Sequence, residues 1–256
     1  MKHFLGEMTW KEAQHAYQTY DFVALVTASH EQHATHLPLL TDSIIGEFFA
    51  KSLAEEAEKE GLKILVLPTL WLGYSEEHIN FPGTLSLSPK TLESIVIDVA
   101  RCLKRHGVKR FLLINSHGGN LPVVQTITDR IERDLDLPTH LLVNWLSYGE
   151  YPMKSEYREK PEPMKIGHAG REETSMVLHI RPDLVQIDKM EIPKIRPLAI
   201  TRGWWGARYW EDMTDTGAGS DPHGADPKYA EELFVKAVRT TVSVLKQDLE
   251  LELSKR

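Results

Sequence analysis

Side chains that commonly bind divalent metal ions are concentrated in three short segments of the chain. The first segment holds Glu31, His33 and Asp42 within twelve residues. Carboxylate oxygens and imidazole nitrogens are the ligands that catalytic zinc, manganese or iron ions take in proteins. These residue types therefore predict a metal-dependent hydrolase. The segments are SHEQHATHLPLLTD (29–42), NSHGGN (115–120) and GHAGREETS (167–175).

The spacing within the first segment favours two metal ions rather than one. In an extended chain, Glu31 and His33 point to the same side with Cα atoms roughly 6.6 Å apart, which suits two ions about 3.5–4 Å apart. Asp42 is the candidate for a bridging ligand. A single Asp at a helix start is more commonly a helix cap, but the nearby Glu31, His33 and His117 favour the role of a ligand.

Short apolar runs alternate with amphipathic helical patterns along the chain, which predicts an α/β fold with a mostly parallel sheet and helices on both faces. A length of 256 residues with 41% hydrophobic residues fits one domain spanning residues 1–256. The predicted strands are 22–28, 63–68, 110–114 and 140–144. The predicted helices are 42–60, 89–106, 121–135 and one from Pro227 to about Leu245, followed by a frayed tail.

Most of the candidate functional residues follow a predicted strand directly. Ligands of open parallel sheets bind at the carboxyl ends of the strands, so these residues are expected to converge there. The residues that follow the four strands in turn are Glu31 and His33, then Ser75, Glu77 and His78, then His117, and finally Trp145. Seven of the twelve histidines lie in these loops: His30, His33, His36, His78, His117, His168 and His223.

Four segments in this order resemble the successive motifs of the creatininase (creatinine amidohydrolase) family over most of the chain. The resemblance implies a three-layer α/β/α sandwich and two divalent metal ions per subunit, which are zinc, manganese or iron. It also implies a homohexamer that hydrolyses C–N bonds in cyclic amides or formamides. The segments are EQHATHLPLLTD, GYSEEHINFPGTLSLS, NSHGGN and HAGREETS.

The resemblance also assigns a role to each motif residue. Glu31 and His117 would hold one metal ion, His33 and Glu173 the other, and Asp42 would bridge the two. His168 resembles the proton shuttle of the family, so His168 and Glu173 are the expected catalytic residues. The residues expected to line the substrate side are Ser75, Glu77, His78, Gly118 and Trp145.

The chain departs from the family pattern at several positions beside the inferred site. Creatininase itself has an acidic residue in the third motif where this chain has Gly119. We therefore do not expect creatinine to be the substrate. Gly-Pro is usual in the family where Ala34 and Thr35 stand here. His30 is also unusual for the family, and it fits a substrate contact or a packing role equally well.

The composition of the chain argues against some classes of binding partner. A net charge of −7 gives no basic surface for nucleic acid, and no segment has the roughly 18 apolar residues that a membrane span needs. The first residues lack the apolar run of a signal peptide, which predicts a cytoplasmic location. The expected partners are a small-molecule substrate and further copies of the chain.

Two alternative functions also fit these residues. The same metal centre would polarise any carbonyl, so a ring-opening hydrolase or an isomerase of a polyhydroxylated cyclic ketone is one alternative. A non-catalytic binding protein is the other.

Two long segments, residues 145–166 and 200–226, match neither helix nor strand patterns. The aromatic loop 203–210 within them would form either a subunit contact or a wall of the pocket.

Overall fold

Four parallel strands form the central sheet of the computed structural model, which describes residues 2–143, 167–196 and 209–254. The strand order is β2-β1-β3-β4, and each hydrogen-bonded pair is parallel. The strands are β1 (Phe22–Thr27), β2 (Ile64–Val66), β3 (Phe111–Asn115) and β4 (Thr139–Leu142). Every residue of β1, β2 and β3 is buried, as expected for a sheet that is covered on both faces.

Helices cover both faces of this sheet, so the predicted three-layer α/β/α arrangement is confirmed. Ala24 and Val26 of β1 pack toward α2, α5 and α6, whereas Val23 and Leu25 pack toward α1, α3 and α4. None of the described helices is both long enough and apolar enough to cross a membrane. The helices are α1 (Trp10–Thr19), α2 (Thr41–Lys59), α3 (Pro89–Arg105), α4 (Leu121–Leu135), α5 (Arg171–Ile180) and α6 (Pro227–Ser254).

Local signals in the sequence set several of the helix ends. The Ser88 side chain accepts a hydrogen bond from the Thr91 N–H at the start of α3, with Pro89 in the first helical position. Gly61 and Gly107 follow α2 and α3 with φ of +79° and +80°, a conformation that glycine adopts without steric cost. The predicted bounds of these helices are therefore confirmed to within a residue or two.

The structure corrects the end of the last helix and adds two helices that were not predicted. Helix α6 continues to Ser254, so the prediction of a frayed tail after Leu245 is wrong. The buried Arg110 side chain pairs with Glu252 at 2.5 Å and ties the last turns of α6 to the sheet. Helix α1 begins with a capping box between Thr9 and Glu12 but buries only Ala16, so its apolar pattern is weak.

Substitution of Gly46 tests the packing of α2 against the sheet. A Cβ atom at Gly46 would lie 2.6 Å from Val26 Cγ1 and 2.8 Å from Ser116 Cβ. Alanine favours the helix by about 1 kcal/mol, but overpacking costs about 1–3 kcal/mol, so Gly46→Ala is expected to destabilise the protein. Chemical denaturation measures the free energy of unfolding. The exposed Glu55→Ala variant of the same helix is the control, and equal stabilities would contradict this packing.

Candidate metal centre

The five residues predicted as metal ligands lie close together at the carboxyl end of the sheet. Glu31 and His33 follow β1, and His117 follows β3. Asp42 lies in the first turn of α2, and Glu173 lies in the first turn of α5. All but Glu173 are almost completely buried. Helix α5, which the sequence analysis did not predict, is therefore the element that carries the fifth residue to the site.

Asp42 lies at the centre of this cluster. Its Oδ1 is 3.4 Å from His33 Nε2, and its Oδ2 is 3.2 Å from His117 Nδ1. Two groups with metal-ligand spacing share this residue: Glu31, Asp42 and His117 form one, and His33, Asp42 and Glu173 form the other. No side-chain cap closes the start of α2, so the alternative that Asp42 is only a helix cap finds no support.

Backbone carbonyls orient the two central imidazoles. His33 Nδ1 lies 3.2 Å from the carbonyl oxygen of Glu31, and His117 Nε2 lies 2.8 Å from the carbonyl oxygen of Tyr74. A carbonyl only accepts hydrogen bonds, so each of these nitrogens carries the ring proton. When the ring is neutral, the other nitrogen of each ring is therefore the one whose lone pair is available to a metal ion, as is usual for histidines that bind metal ions.

The buried charges shift the pKa values of these groups strongly. Burial lowers the pKa of His33, but the Asp42 carboxylate and then those of Glu173 and Glu31 outweigh burial and raise this pKa to about 9. Burial also lowers the pKa of His117, but the carboxylates of Glu31 and Asp42 outweigh burial and raise this pKa well above its ordinary value. Burial raises the pKa of Glu173 to about 7. Without a metal ion, protons therefore supply the positive charge that balances the carboxylates.

Two buried atoms without hydrogen-bond partners bear on whether the cluster can hold metal ions. Glu31 Oε2 and His33 Nε2 have no hydrogen-bond partner among the described residues. A buried polar atom without a partner costs about 1–3 kcal/mol, and a bound cation would remove that cost at both atoms. The oxygen and imidazole donors suit zinc, manganese or iron. The residues present therefore fit divalent cations.

Two further histidines flank Glu31 on its other side. His78 Nε2 and His168 Nδ1 lie 3.5 and 3.7 Å from Glu31 Oε1, and their rings stack with centroids 4.4 Å apart. Burial lowers the pKa of His78 to about 4 and lowers that of His168 well below its ordinary value. Both rings are therefore neutral near pH 7. His168 also has metal-ligand spacing with Glu31 and His33.

The residues predicted to line the substrate side occupy different depths. Ser75 and His78 are buried, and Ser75 Oγ lies 3.4 Å from His117 Nε2. Glu77 is partly exposed, with its Oε1 3.8 Å from His117 Nε2, and Gly118 is exposed. Trp145 and most of the aromatic loop 203–210 lie outside the described residues.

Three histidines of the predicted loops do not join the cluster. His30 contacts the carbonyl oxygen of Gly83 and the ring edge of Trp71, and His223 pairs with Asp221. His36 donates from Nε2 to Thr174 Oγ1, which in turn donates to the carbonyl oxygen of Gly170. Glu172 is exposed, in agreement with the choice of Glu173 over its neighbour.

Two residues that contact the cluster, Ser29 and Gln32, were missed in the sequence, and a third, Trp210, lies in the aromatic loop for which a pocket wall was one of the two predicted roles. Ser29 Oγ donates to Asp42 Oδ2 at 2.5 Å, and Gln32 contacts both His78 and His168. Trp210 packs against the rings of the same two histidines, with centroids 4.8 and 4.9 Å away. None of the three is a usual metal ligand. Their positions beside Glu31 and within the aromatic loop were the only available signals.

The chain is similar to known proteins in both sequence and fold. The sequence model of the creatininase family, described as creatinine amidohydrolase, matches residues 6–245. The chain belongs to the creatininase family. It is 32% identical to the creatinine amidohydrolase of Pseudomonas putida over 201 residues, which cover 73% of this chain and 75% of that protein.

The chain is also similar to a peptidase and to a solved creatininase structure. The chain is 27% identical over 232 residues to the mycofactocin precursor peptide peptidase of Mycolicibacterium smegmatis, covering 88% of this chain and 84% of the peptidase. A solved mutant creatininase of the Zn-Zn type superimposes with a TM-score of 0.83 at 27% identity, covering 97% of this chain and 98% of that one. The fold of this creatininase-family chain is thus shared over nearly its full length.

Adjacent glycines provide a matched test of the packing around His117. A Cβ atom at Gly119 would lie 2.5 Å from His117 Nε2, from Glu77 Oε1 and from the Tyr74 carbonyl oxygen, whereas one at Gly118 would meet nothing within 4 Å. Gly119→Ala is expected to lower the free energy of unfolding by about 1–3 kcal/mol. Gly118→Ala should change it by less than about 0.5 kcal/mol. Equal stabilities of the two variants would contradict this contact.

The buried His36 predicts a specific loss of stability in acid. Burial, followed by the charges of His33 and His223, lowers its pKa to about 4, whereas an unfolded histidine titrates near 6.5. The unfolded chain then binds the proton first, so the free energy of unfolding falls as the pH drops from about 6.5 to about 4.

Denaturation of the metal-free protein at several pH values measures this effect. His36→Asn should flatten the curve in that window, while the exposed His15→Asn should leave it unchanged. Parallel curves for the wild type and His36→Asn would contradict the assignment.

Proposed function

We propose that this chain is a hydrolase that uses two divalent cations to cleave a C–N bond in a small cyclic amide or a formamide. The observation that carries the proposal is the Asp42 carboxylate, whose two oxygens face His33 on one side and His117 on the other. A single carboxylate shared by two ligand groups is the arrangement that a two-metal site requires.

In this proposal, each cation is held by one carboxylate and one imidazole in addition to Asp42. Glu31 and His117 hold one cation, and His33 and Glu173 hold the other. When bound, such a pair would polarise a carbonyl and would lower the pKa of a water molecule to about 7. The ligands themselves are fixed by the Glu31 and Tyr74 carbonyls, by Ser29 and by the Ala169 N–H, which donates to Glu173 Oε2.

His168 is the residue that moves the proton. Hydrolysis adds a hydroxyl group to the carbonyl carbon, breaks the C–N bond and needs a proton on the leaving nitrogen. His168 Nδ1 faces Glu31 and its imidazole is neutral near pH 7, so it can take the proton from water and pass it to the nitrogen. Ser75, Glu77, His78, Gly118 and Trp145 contact or surround the substrate in this proposal.

We expect a substrate other than creatinine. Gly119 replaces the acidic residue that creatininase carries in its third motif. The carboxylate of Glu77 lies in the space that a side chain at this position would need. The shape and charge beside His117 therefore differ from those that the resemblance implies for creatininase.

We further propose that the chain acts as a single domain within a homo-oligomer, with a hexamer implied by the family resemblance. Exposed apolar side chains beside His30 support a subunit contact: Trp71 is 46% exposed and Leu85 is 48% exposed. Light scattering coupled to size-exclusion chromatography measures the oligomer directly, and a monomer would contradict this part of the proposal.

Removal of the shared carboxylate is the sharpest test of the two-metal site. Asp42→Ala is expected to reduce the bound metal from two ions per chain to one or none, because both ligand groups lose a member. Turnover should fall by more than the roughly 10–100-fold that indirect supporting contacts cost. Elemental analysis and an activity assay measure both effects. The exposed Asp98→Ala variant is the control, and two ions retained in Asp42→Ala would exclude Asp42 as the bridge.

The type of reaction is tested with a panel of substrates. We expect the zinc- or manganese-loaded protein to release amine or ammonia from cyclic amides or formamides. An acid product without loss of nitrogen, formed from a cyclic ketone, would instead establish the ring-opening alternative. A protein purified without chelator and free of metal would favour the non-catalytic alternative.

A further inference from the structure

The side chain of Gln32 is buried beside the site, and all of its hydrogen-bonding positions are used. Its Oε1 accepts from the Ala34 N–H at 2.9 Å, and its Nε2 lies 2.8 Å from His78 Nδ1 and 3.1 Å from the Gly217 carbonyl oxygen. The Ala34 N–H can only donate, which fixes the amide oxygen toward Ala34. The two amide hydrogens therefore point at His78 and Gly217.

This orientation determines which nitrogen of His78 carries the proton. An amide NH₂ group only donates, so His78 Nδ1 must accept and the ring proton resides on Nε2. Nε2 is the nitrogen that lies 3.5 Å from Glu31 Oε1. His78 thus presents an N–H to the carboxylate of Glu31, as supporting residues around metal ligands commonly do.

The main chain of Gln32 determines the proton position of His168 in the same way. His168 Nε2 lies 2.9 Å from the Gln32 carbonyl oxygen, which only accepts, so Nε2 carries the proton. Its Nδ1 then presents a lone pair toward the site. Gln32 Nε2 also lies 2.9 Å from His168 Nε2, but both amide hydrogens are already used, so this contact is a close approach without a hydrogen bond.

The loop behind the two histidines is fitted to this amide. Trp210 Nε1 donates to the same Gly217 carbonyl that accepts from Gln32. Gly217 has a φ of +85°, and a Cβ atom there would lie 2.2 Å from Gln32 Oε1. The Trp210 ring closes over His78 and His168. The loop, the amide and the two imidazoles therefore form one connected unit.

We propose that Gln32 is a positioning residue that holds His78 and His168 in the Nε2–H tautomer. Through His78 it orients the carboxylate of Glu31, and through its main-chain carbonyl it leaves His168 Nδ1 as the atom that accepts a proton. The consequence for metal binding rests on the proposed function, but the tautomers themselves do not.

The tautomers are measured on the metal-free protein by long-range ¹H–¹⁵N correlation spectra of the histidine rings. His78→Gln and His168→Gln variants assign the two signals. We expect the neutral form of each ring to carry its proton on Nε2. A proton on Nδ1 of either ring in the wild-type protein would overturn the proposal, and this outcome needs no Gln32 variant to fold.

Gln32→Glu tests the side chain specifically, because it replaces the NH₂ donor by an acceptor of the same shape. His78 should then move its proton to Nδ1, whereas His168 should keep its proton on Nε2 because its partner is the main chain. The exposed Gln125→Glu variant on α4 is the matched control. A folded Gln32→Glu protein with an unchanged His78 tautomer would contradict the proposal.

Zinc affinity gives the second readout. Competition with a chelator should show an affinity about 10-fold weaker in Gln32→Ala, which removes the amide without adding a charge, than in the wild type, and no change in Gln125→Ala. Weaker zinc binding with unchanged tautomers would contradict the positioning role. Expected tautomers in a wild-type protein that hydrolyses no C–N substrate would refute the proposed function and leave the role of Gln32 intact.

Discussion

The contact between the Asp42 carboxylate and the imidazoles of His33 and His117 is the interaction around which the site is arranged. All three side chains are almost completely buried, where an unbalanced charge is very unfavourable. Glu31 and Glu173 bring further carboxylates to the same volume. Positive charge must therefore be present, either as protons on the imidazoles or as divalent cations. The raised pKa values of His33 and His117 and the metal-binding geometry are two expressions of this one requirement.

The residues of this cluster come from separate elements of the fold. The backbone is strained at two alanines where the chain enters the site. Ala34 and Ala169 have φ values of +57° and +50°, which cost an ordinary residue about 1–2 kcal/mol. Each is held by a hydrogen bond from its own N–H, to Gln32 in one case and to Glu173 in the other. The strained turns thus place a ligand or its neighbour, which links the backbone conformation to the geometry of the site.

The sequence predicted the parts of this structure that depend on local patterns. Continuous apolar runs identified the strands, and Ser88, Gly61 and Gly107 identified helix ends. The convergence of Glu31, His33 and His117 followed from the rule that strand ends meet at one edge of a parallel sheet. Helix α1 was missed because only Ala16 is buried, and α5 was missed because it is short and begins after Gly170 without a side-chain cap. Gln32 was missed because its role depends on three partners that are distant in sequence.

Anomalous diffraction from crystals grown with zinc or manganese tests the central claim most directly. The account predicts two anomalous peaks per chain, about 3.5–4 Å apart, with the Asp42 carboxylate between them. Glu31 and His117 should contact one peak, and His33 and Glu173 the other. A single peak, or two peaks that Asp42 does not join, would contradict the account.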